Sequence, residues 1–111
     1  MSYSKAEQFK VSEQTLADFA RALSHPARIM ILKMLAERKQ CICGELVEVL
    51  PLAQSTVSQH LKALREGGLI AGEIEGPRSC YCLDPKAVQR LSELLEEFVK
   101  VLRTATKPDC C

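Results

Sequence analysis

The segment QSTVSQHLKALREGGLI, residues 54–70, combines a helical pattern with an abrupt end to that pattern. Its apolar residues Val57, Leu61 and Leu64 recur at spacings of four and three, so they share one face of a helix. The double glycine that follows is typical of a helix end. The segment therefore predicts a helix over about residues 54–66, with its apolar stripe toward the core.

The residues after the double glycine change from a helical period to a period of two. The stretches LIAGEIE and SCYCLD flank Gly-Pro-Arg, which is a turn signal. This pattern predicts a β-hairpin over about residues 69–83. Its strands would direct Ile74, Tyr81 and Leu83 toward the core.

Three helices are predicted before this stretch. The first spans about residues 12–23. Ser24 is the candidate N-cap of the second helix, which begins at Pro26 and is apolar around most of its circumference, as in a central, buried helix. The run CGELVEVL, from Cys43, predicts a short third helix that the following Pro-Leu-Ala ends.

A last helix is predicted over about residues 85–105, with Asp84 as its N-cap and Pro85 at its first position. Its apolar stripe is too wide for a small hairpin to cover and consists of Val88, Leu91, Leu94, Leu95, Phe98, Val101 and Leu102. The stripe predicts a partner helix from a second subunit. The tail, residues 106–111, contains the helix-stopping Pro108 and is predicted to be flexible.

Length and composition predict one domain over residues 1–111. The chain is 47% apolar and 26% charged, with a formal net charge of only +1, so bulk charge does not indicate nucleic acid. Its apolar runs are too short to span a bilayer, and MSYSKAEQFK does not have the pattern of a signal peptide. We therefore expect a cytoplasmic protein with no membrane partner, in which the six cysteines are metal ligands or reactive thiols.

The predicted order is three helices, a tight turn, a fourth helix, a hairpin and a last helix. This order is typical of a winged helix-turn-helix, with residues 54–66 as the recognition helix and residues 69–83 as the wing. Polar side chains able to bond phosphates and base edges occupy the predicted outward positions of the recognition helix: Gln54, Ser55, Thr56, Ser58, Gln59, His60 and Lys62. The alternative for these residues is an ordinary solvated helix face.

Four motifs together resemble the ArsR/SmtB family of bacterial metal-sensing repressors: LSHPARIMILKML, CICGEL, STVSQHLKALREGGLI and GPRSCYCL. The resemblance implies a homodimeric winged helix that holds operator DNA without metal and releases it when metal binds. It also implies that the first and last helices form the dimer interface and that Arg78, at the hairpin tip, contacts flanking phosphates. Ala53 departs from the family, which often has a serine helix cap at this position.

Cys41 and Cys43 resemble the family's Cys-X-Cys metal site. Thiolates are soft ligands, and a helix N-terminus favours the thiolate over the thiol. Because residues two apart share a face only in extended chain, the pair can chelate only if the helix begins after Cys41 or unwinds its first turn. The arsenic-type motif has a third cysteine where this chain has Leu46. The alternative is that these cysteines are merely small apolar residues.

Two other cysteine pairs are candidates for further ligands. Cys80 and Cys82 share a face of a predicted strand, on the solvent side of the wing. They are candidates for an accessory thiophilic site, for a disulfide that forms only with strain, or for incidental thiols. Cys110 and Cys111, in the tail, are the candidate source of the missing third ligand. The family's zinc site uses Asp and His on the last helix, and that helix contains no histidine here.

The sequence therefore predicts a homodimeric repressor of double-stranded operator DNA that needs no cofactor for folding. Its expected inducer is trivalent arsenic or antimony, As(III) or Sb(III), followed by cadmium or lead, Cd(II) or Pb(II). A thiol-redox or persulfide sensor of the same fold and a winged-helix protein-interaction module are the alternatives. A thiol oxidoreductase is disfavoured because the chain contains no Cys-X-X-Cys, and no enzyme activity is expected.

Overall fold

The computed structural model describes residues 8–38, 41–43, 51–73 and 80–105 of the chain. Within these ranges the elements are α1 (Val11–Ala22), α2 (Pro26–Arg38), β1 (Ile42–Cys43), α3 (Gln54–Glu66), β2 (Ile70–Glu73), β3 (Cys80–Leu83) and α4 (Pro85–Ala105). The predicted short helix after Cys43, the tip of the hairpin and the tail lie outside the described residues.

The junction between α1 and α2 differs from its prediction. The backbone N–H of Ala27 donates to His25 Nδ1 at 3.0 Å, so His25 caps the start of α2. Ser24 Oγ instead donates backwards to the carbonyl oxygen of Arg21 at 2.7 Å, at the end of α1. The prediction that Ser24 caps α2 is therefore wrong, because its hydroxyl satisfies the preceding helix.

Helix α3 begins without a side-chain cap and ends at the double glycine. Ala53 has an extended backbone and makes no side-chain cap hydrogen bond. Gly68 has φ +82°, a conformation that favours glycine, and the N–H of Leu69 returns to the carbonyl of Leu64 at 3.1 Å. A Cβ on Gly67 would lie 2.6 Å from Ala22 Cβ, so this glycine also allows α1 and α3 to pack closely.

The sheet has three antiparallel strands in the order β1-β3-β2. Ile70 pairs with Leu83 in the hairpin, whereas Ile42 pairs with Tyr81 on the other side of β3. The pattern of the sequence predicts the hairpin but not β1. A third strand matters energetically because an isolated two-stranded hairpin is marginally stable in water.

The core lies between the helices and the sheet. Its buried side chains are Phe19, Ala22, Ile31, Leu35, Val57, Leu61, Leu64, Leu69, Ile70, Tyr81 and Leu94. The predicted inward orientation of Tyr81 and Leu83 is confirmed, since Tyr81 is buried and Leu83 packs against the core, whereas Ile74 lies outside the described residues. The prediction of a central, buried α2 holds for one side of the helix only: Ile31 and Leu35 are buried, whereas Ile29 and Met30 are 40% and 46% exposed, because α3 and the sheet do not cover that side.

Helix α4 packs against α1 through one side only. Asp84 Oδ1 accepts hydrogen bonds from the N–H groups of Lys86 at 3.0 Å and Ala87 at 3.2 Å, as expected of an N-cap. Leu94 is buried, and the exposed apolar side chains of the helix are Val88, Leu95, Phe98, Val99, Val101 and Leu102. In the part of the chain described here, no helix is long and apolar enough to cross a membrane.

Candidate functional site

The outward face of α3 presents short polar and cationic side chains. Ser55, Gln59 and Lys62 are exposed, whereas Thr56 and Ser58 are half-buried. Gln54 is the first residue of the helix, and Arg78 lies outside the described residues. This face offers hydroxyl, amide and ammonium groups along one side of a helix, which suits contacts to phosphates and base edges.

His60 lies on the inward side of α3 rather than on its outward face. It is 9% exposed, and its Nδ1 accepts a hydrogen bond from Arg28 Nε at 3.2 Å. Its ring packs against His25 with 4.3 Å between the ring centroids. The prediction that His60 points outward is therefore wrong. Its spacing of three from Val57 and four from Leu64, within the buried stripe, is the signal that would have placed it correctly.

Arg28 joins three helices through one guanidinium group. Besides His60, it contacts the carbonyl oxygens of Arg21 at 3.1 Å and Ala22 at 3.4 Å through Nη1. These carbonyls belong to the last turn of α1, where a positive charge is favourable because of the helix dipole. The arrangement holds α3 in a defined position relative to α1 and α2.

The same arrangement lowers the pKa of His60 below its ordinary value of 6.5. Burial is the largest cause, followed by electrostatic interaction with the neighbouring His25 and Arg28. A proton on Nδ1 would also remove the acceptor that Arg28 uses. The folded protein therefore favours neutral His60.

Stability against unfolding should fall as the pH drops below about 6.5. In that range the unfolded chain takes up a proton on His60 that the folded chain resists, so protonation favours unfolding. Urea titrations at about pH 7.5 and about pH 5.5 measure this loss. The variant His60→Gln, which keeps an acceptor for Arg28 but does not titrate, should show a smaller loss. An equal loss of stability in both proteins would show that protonation of His60 is not its cause.

A hydrogen bond connects the wing to α3, and a close backbone contact joins the two strands of the wing. Arg65 Nη1 donates to the carbonyl oxygen of Gly72 at 3.3 Å, which joins the helix to β2. Gly72 has φ +124°, and a Cβ there would overlap the carbonyl oxygen of Cys80. A larger residue at this position is incompatible with the pairing of β2 and β3.

The strand pairing brings cysteines together from distant parts of the sequence. Cys41 and Cys82 form a disulfide bond with a Cα–Cα distance of 4.4 Å, across 41 residues of chain. Cys43 lies opposite Cys80 in the β1–β3 register, and Cys80 is also disulfide-bonded. Among the described side chains, no group of three or more His, Cys, Asp or Glu is arranged to hold a metal ion.

The strand pairing bears on two predictions about the cysteines, the chelation by Cys41 and Cys43 and the location of Cys80 and Cys82. Because β1 is extended, Cys41 and Cys43 do not lie in a helical turn that would separate them. Cys80 and Cys82 were expected on a separate, solvent-facing part of the wing, but β3 pairs with β1 and places them beside the first pair. Both segments have the Cys-X-Cys spacing, but the spacing alone does not indicate that they pair.

Comparison with known proteins agrees with this architecture. The family described as "Bacterial regulatory protein, arsR family" matches residues 25–71. The arsenical resistance operon repressor of Bacillus subtilis (strain 168) is 35% identical over 112 residues, covering 100% of both chains. The HTH-type transcriptional regulator YgaV of Escherichia coli (strain K12) is 34% identical over 89 residues, covering 80% of this chain and 90% of that protein.

A solved structure supports the same fold. The crystal structure of a possible transcriptional regulator for arsenical resistance has a TM-score of 0.64 and 26% identity, and it covers 81% of this chain and 98% of the other. Fold and relatives together define a winged helix-turn-helix transcriptional regulator rather than an enzyme. The chain belongs to the arsR family of bacterial regulatory proteins.

Proposed function

We propose that this protein is a homodimeric repressor that leaves its operator DNA when arsenite or antimonite binds cysteine thiolates. The observation that carries this proposal is the position of Cys41, which is exposed and precedes strand β1, paired with the wing strand β3. Full-length similarity to a protein named as an arsenical resistance operon repressor supports the choice of inducer.

In this proposal α3 is the recognition helix. Ser55, Thr56, Ser58 and Gln59 contact base edges and phosphates, together with Gln54 and Lys62. Arg78 contacts phosphates beside the major groove. His60 does not contact DNA directly and instead positions α3 through Arg28.

The cysteines suit a trivalent metalloid. Three thiols replace the three hydroxyl groups of arsenous acid, which leave as water with the thiol protons, and arsenic stays trivalent. Cys41 and Cys43 supply two of these thiolates. The chain offers two sources for the third, the strand pair Cys80 and Cys82 and the tail pair Cys110 and Cys111. Cadmium and lead are the next candidates, since thiolates prefer soft metals.

A redox sensor is the second candidate function. It is favoured by the Cys41–Cys82 disulfide, whose Cα–Cα distance of 4.4 Å lies within the ordinary range for that bond. In this mechanism the two thiols lose two electrons and two protons to a peroxide or persulfide oxidant. DNA release by such an oxidant in the absence of arsenite would support this alternative.

The main proposal predicts a specific result in a gel-shift titration. Under a phosphine reductant, the protein should bind an inverted-repeat promoter fragment as a dimer, and arsenite should release it. Binding that is indifferent to promoter sequence would contradict the DNA-binding part of the proposal. Binding that persists at saturating arsenite would contradict the inducer, and release by oxidant alone would indicate the redox mechanism.

The salt dependence of the same titration tests the placement of α3. Each phosphate contact contributes about 0.9 to the slope of log affinity against log salt concentration. Lys62→Gln, on the outward face of α3, should therefore make the slope shallower. Lys33→Gln, at an exposed lysine of α2, is the matched control and should leave the slope unchanged.

A further inference from the structure

The pairing of β1 with β3 creates a cross-strand set of cysteines within one subunit. The register places Cys43 opposite Cys80 and Ile42 opposite Tyr81, and its continuation places Cys41 opposite Cys82. Both Cys-X-Cys segments are therefore in register over their full length. A single strand pair thus concentrates four of the six cysteines of the chain at one place.

Three cysteines of this cross-strand set have side chains that are accessible from solvent. Cys41 is exposed, and Cys80 and Cys82 are half-buried, whereas Tyr81 between them is 2% exposed and points into the core. Successive residues of a strand point to opposite faces, so Cys80 and Cys82 lie on the face away from the core. A ligand can therefore reach them without opening the hydrophobic core.

The spacing suits ligation as well as oxidation. Directly opposed residues of an antiparallel pair have Cβ atoms about 4.5–5.5 Å apart. Two thiolates bound to one metal at about 2.3 Å have sulfur atoms roughly 4 Å apart, which such positions can provide. The contact between the sulfurs of Cys41 and Cys82 demonstrates that these two side chains converge.

We propose that Cys82 is the third thiolate of the inducer site, joining Cys41 and Cys43 across the two strands of one subunit. This proposal rests on the proposed function and specifies its ligand set. Cys80 is the fourth position, used by a tetrahedral divalent ion and not by a pyramidal trivalent one. The tail cysteines are not ligands in this arrangement.

The binding step balances without a change in oxidation state of arsenic. A phosphine reductant first supplies two electrons to each disulfide and becomes a phosphine oxide, with water providing its oxygen and the two protons of the restored thiols. Three As–S bonds then form while three As–O bonds break, and each thiol proton leaves with a hydroxyl group as water.

Ligation across the strands links the inducer to the proposed DNA-binding helix. β3 pairs with β2, and the carbonyl of Gly72 in β2 accepts the hydrogen bond from Arg65 of α3. A metalloid that joins β1 to β3 therefore restrains the wing and, through it, the end of α3. The site acts within one subunit, so each protomer of a dimer would bind its own inducer.

The test uses the full-length protein under a phosphine reductant, with X-ray absorption at arsenic to count bound sulfurs. Cys82→Ser and Cys82→Ala should each lower the count from three to two and, like loss of either other ligand, abolish DNA release at arsenite concentrations that free the native protein. The matched control is the double variant Cys110→Ser/Cys111→Ser, which should keep three sulfurs and native release. DNA binding without arsenite verifies that each variant is folded.

The outcomes separate this inference from the proposed function. Three sulfurs in both Cys82 variants, or two sulfurs in the tail variant, would overturn the cross-strand site and leave an arsenite-responsive repressor intact. A native protein that keeps its DNA at saturating arsenite would instead overturn the proposed inducer. With cadmium, Cys80→Ser should lower the sulfur count from four to three, and an unchanged count would remove Cys80 from the set.

Discussion

Cys41→Ser is expected to retain operator affinity within about twofold of the native protein and to lose release by arsenite entirely. Cys41 is exposed and lies outside α3, so its replacement removes no proposed DNA contact. A serine hydroxyl is a poor ligand for a thiophilic ion, and two remaining thiolates leave the metalloid one bond short. Cys43→Ser should behave in the same way. Fluorescence anisotropy with labelled operator, with and without arsenite, measures both quantities.

Ala36→Ser is the matched control for these variants. It introduces the same hydroxyl at an exposed position of α2, away from the cysteines, and should respond to arsenite like the native protein. Release of both cysteine variants at the native arsenite concentration would show that the sensing site lies elsewhere. Loss of operator binding without arsenite would assign these cysteines a structural role instead.

Periodicity explains why most helices could be predicted. The helix expected over about residues 54–66 is observed as Gln54–Glu66, and the one expected over about 85–105 is observed as Pro85–Ala105. Each helix carries its own apolar stripe and a clear boundary signal. The double glycine marks the end of the first helix, and Asp84-Pro85 marks the start of the second. Local sequence was sufficient because local hydrogen bonds and one buried face define these elements.

The features that could not be predicted depend on contacts between distant residues. β1 is two residues long, too short to show a period of two, and it exists because β3 pairs with it from 37 or more positions away along the chain. The partner of His60 is Arg28, 32 residues earlier, and no local pattern connects them. The cysteine site was missed for the same reason, since Cys41 meets Cys82 only through this strand pairing.

A second large effect is expected from a charge in the exposed apolar stripe of α4. Phe98 and Leu102 are 48% and 50% exposed and lie one turn apart, on a helix whose Leu94 is buried against the rest of the subunit. Burying such side chains in a dimer contributes about 1.5–3 kcal/mol each, and two-fold symmetry counts every contact twice. Phe98→Glu should therefore yield a folded monomer in sedimentation velocity.

The same variant should weaken operator binding by on the order of a hundredfold or more, because a monomer contacts only one half-site. Lys100→Glu is the matched control: it adds the same side chain to α4 at an exposed position outside the apolar stripe, and it should remain dimeric. Circular dichroism distinguishes loss of the dimer from loss of the fold, since Leu94 still holds α4 in place. If Phe98→Glu remains a dimer, the apolar stripe is not the subunit interface. If it becomes a monomer with native operator affinity, two-fold contact with an inverted repeat does not provide the binding energy.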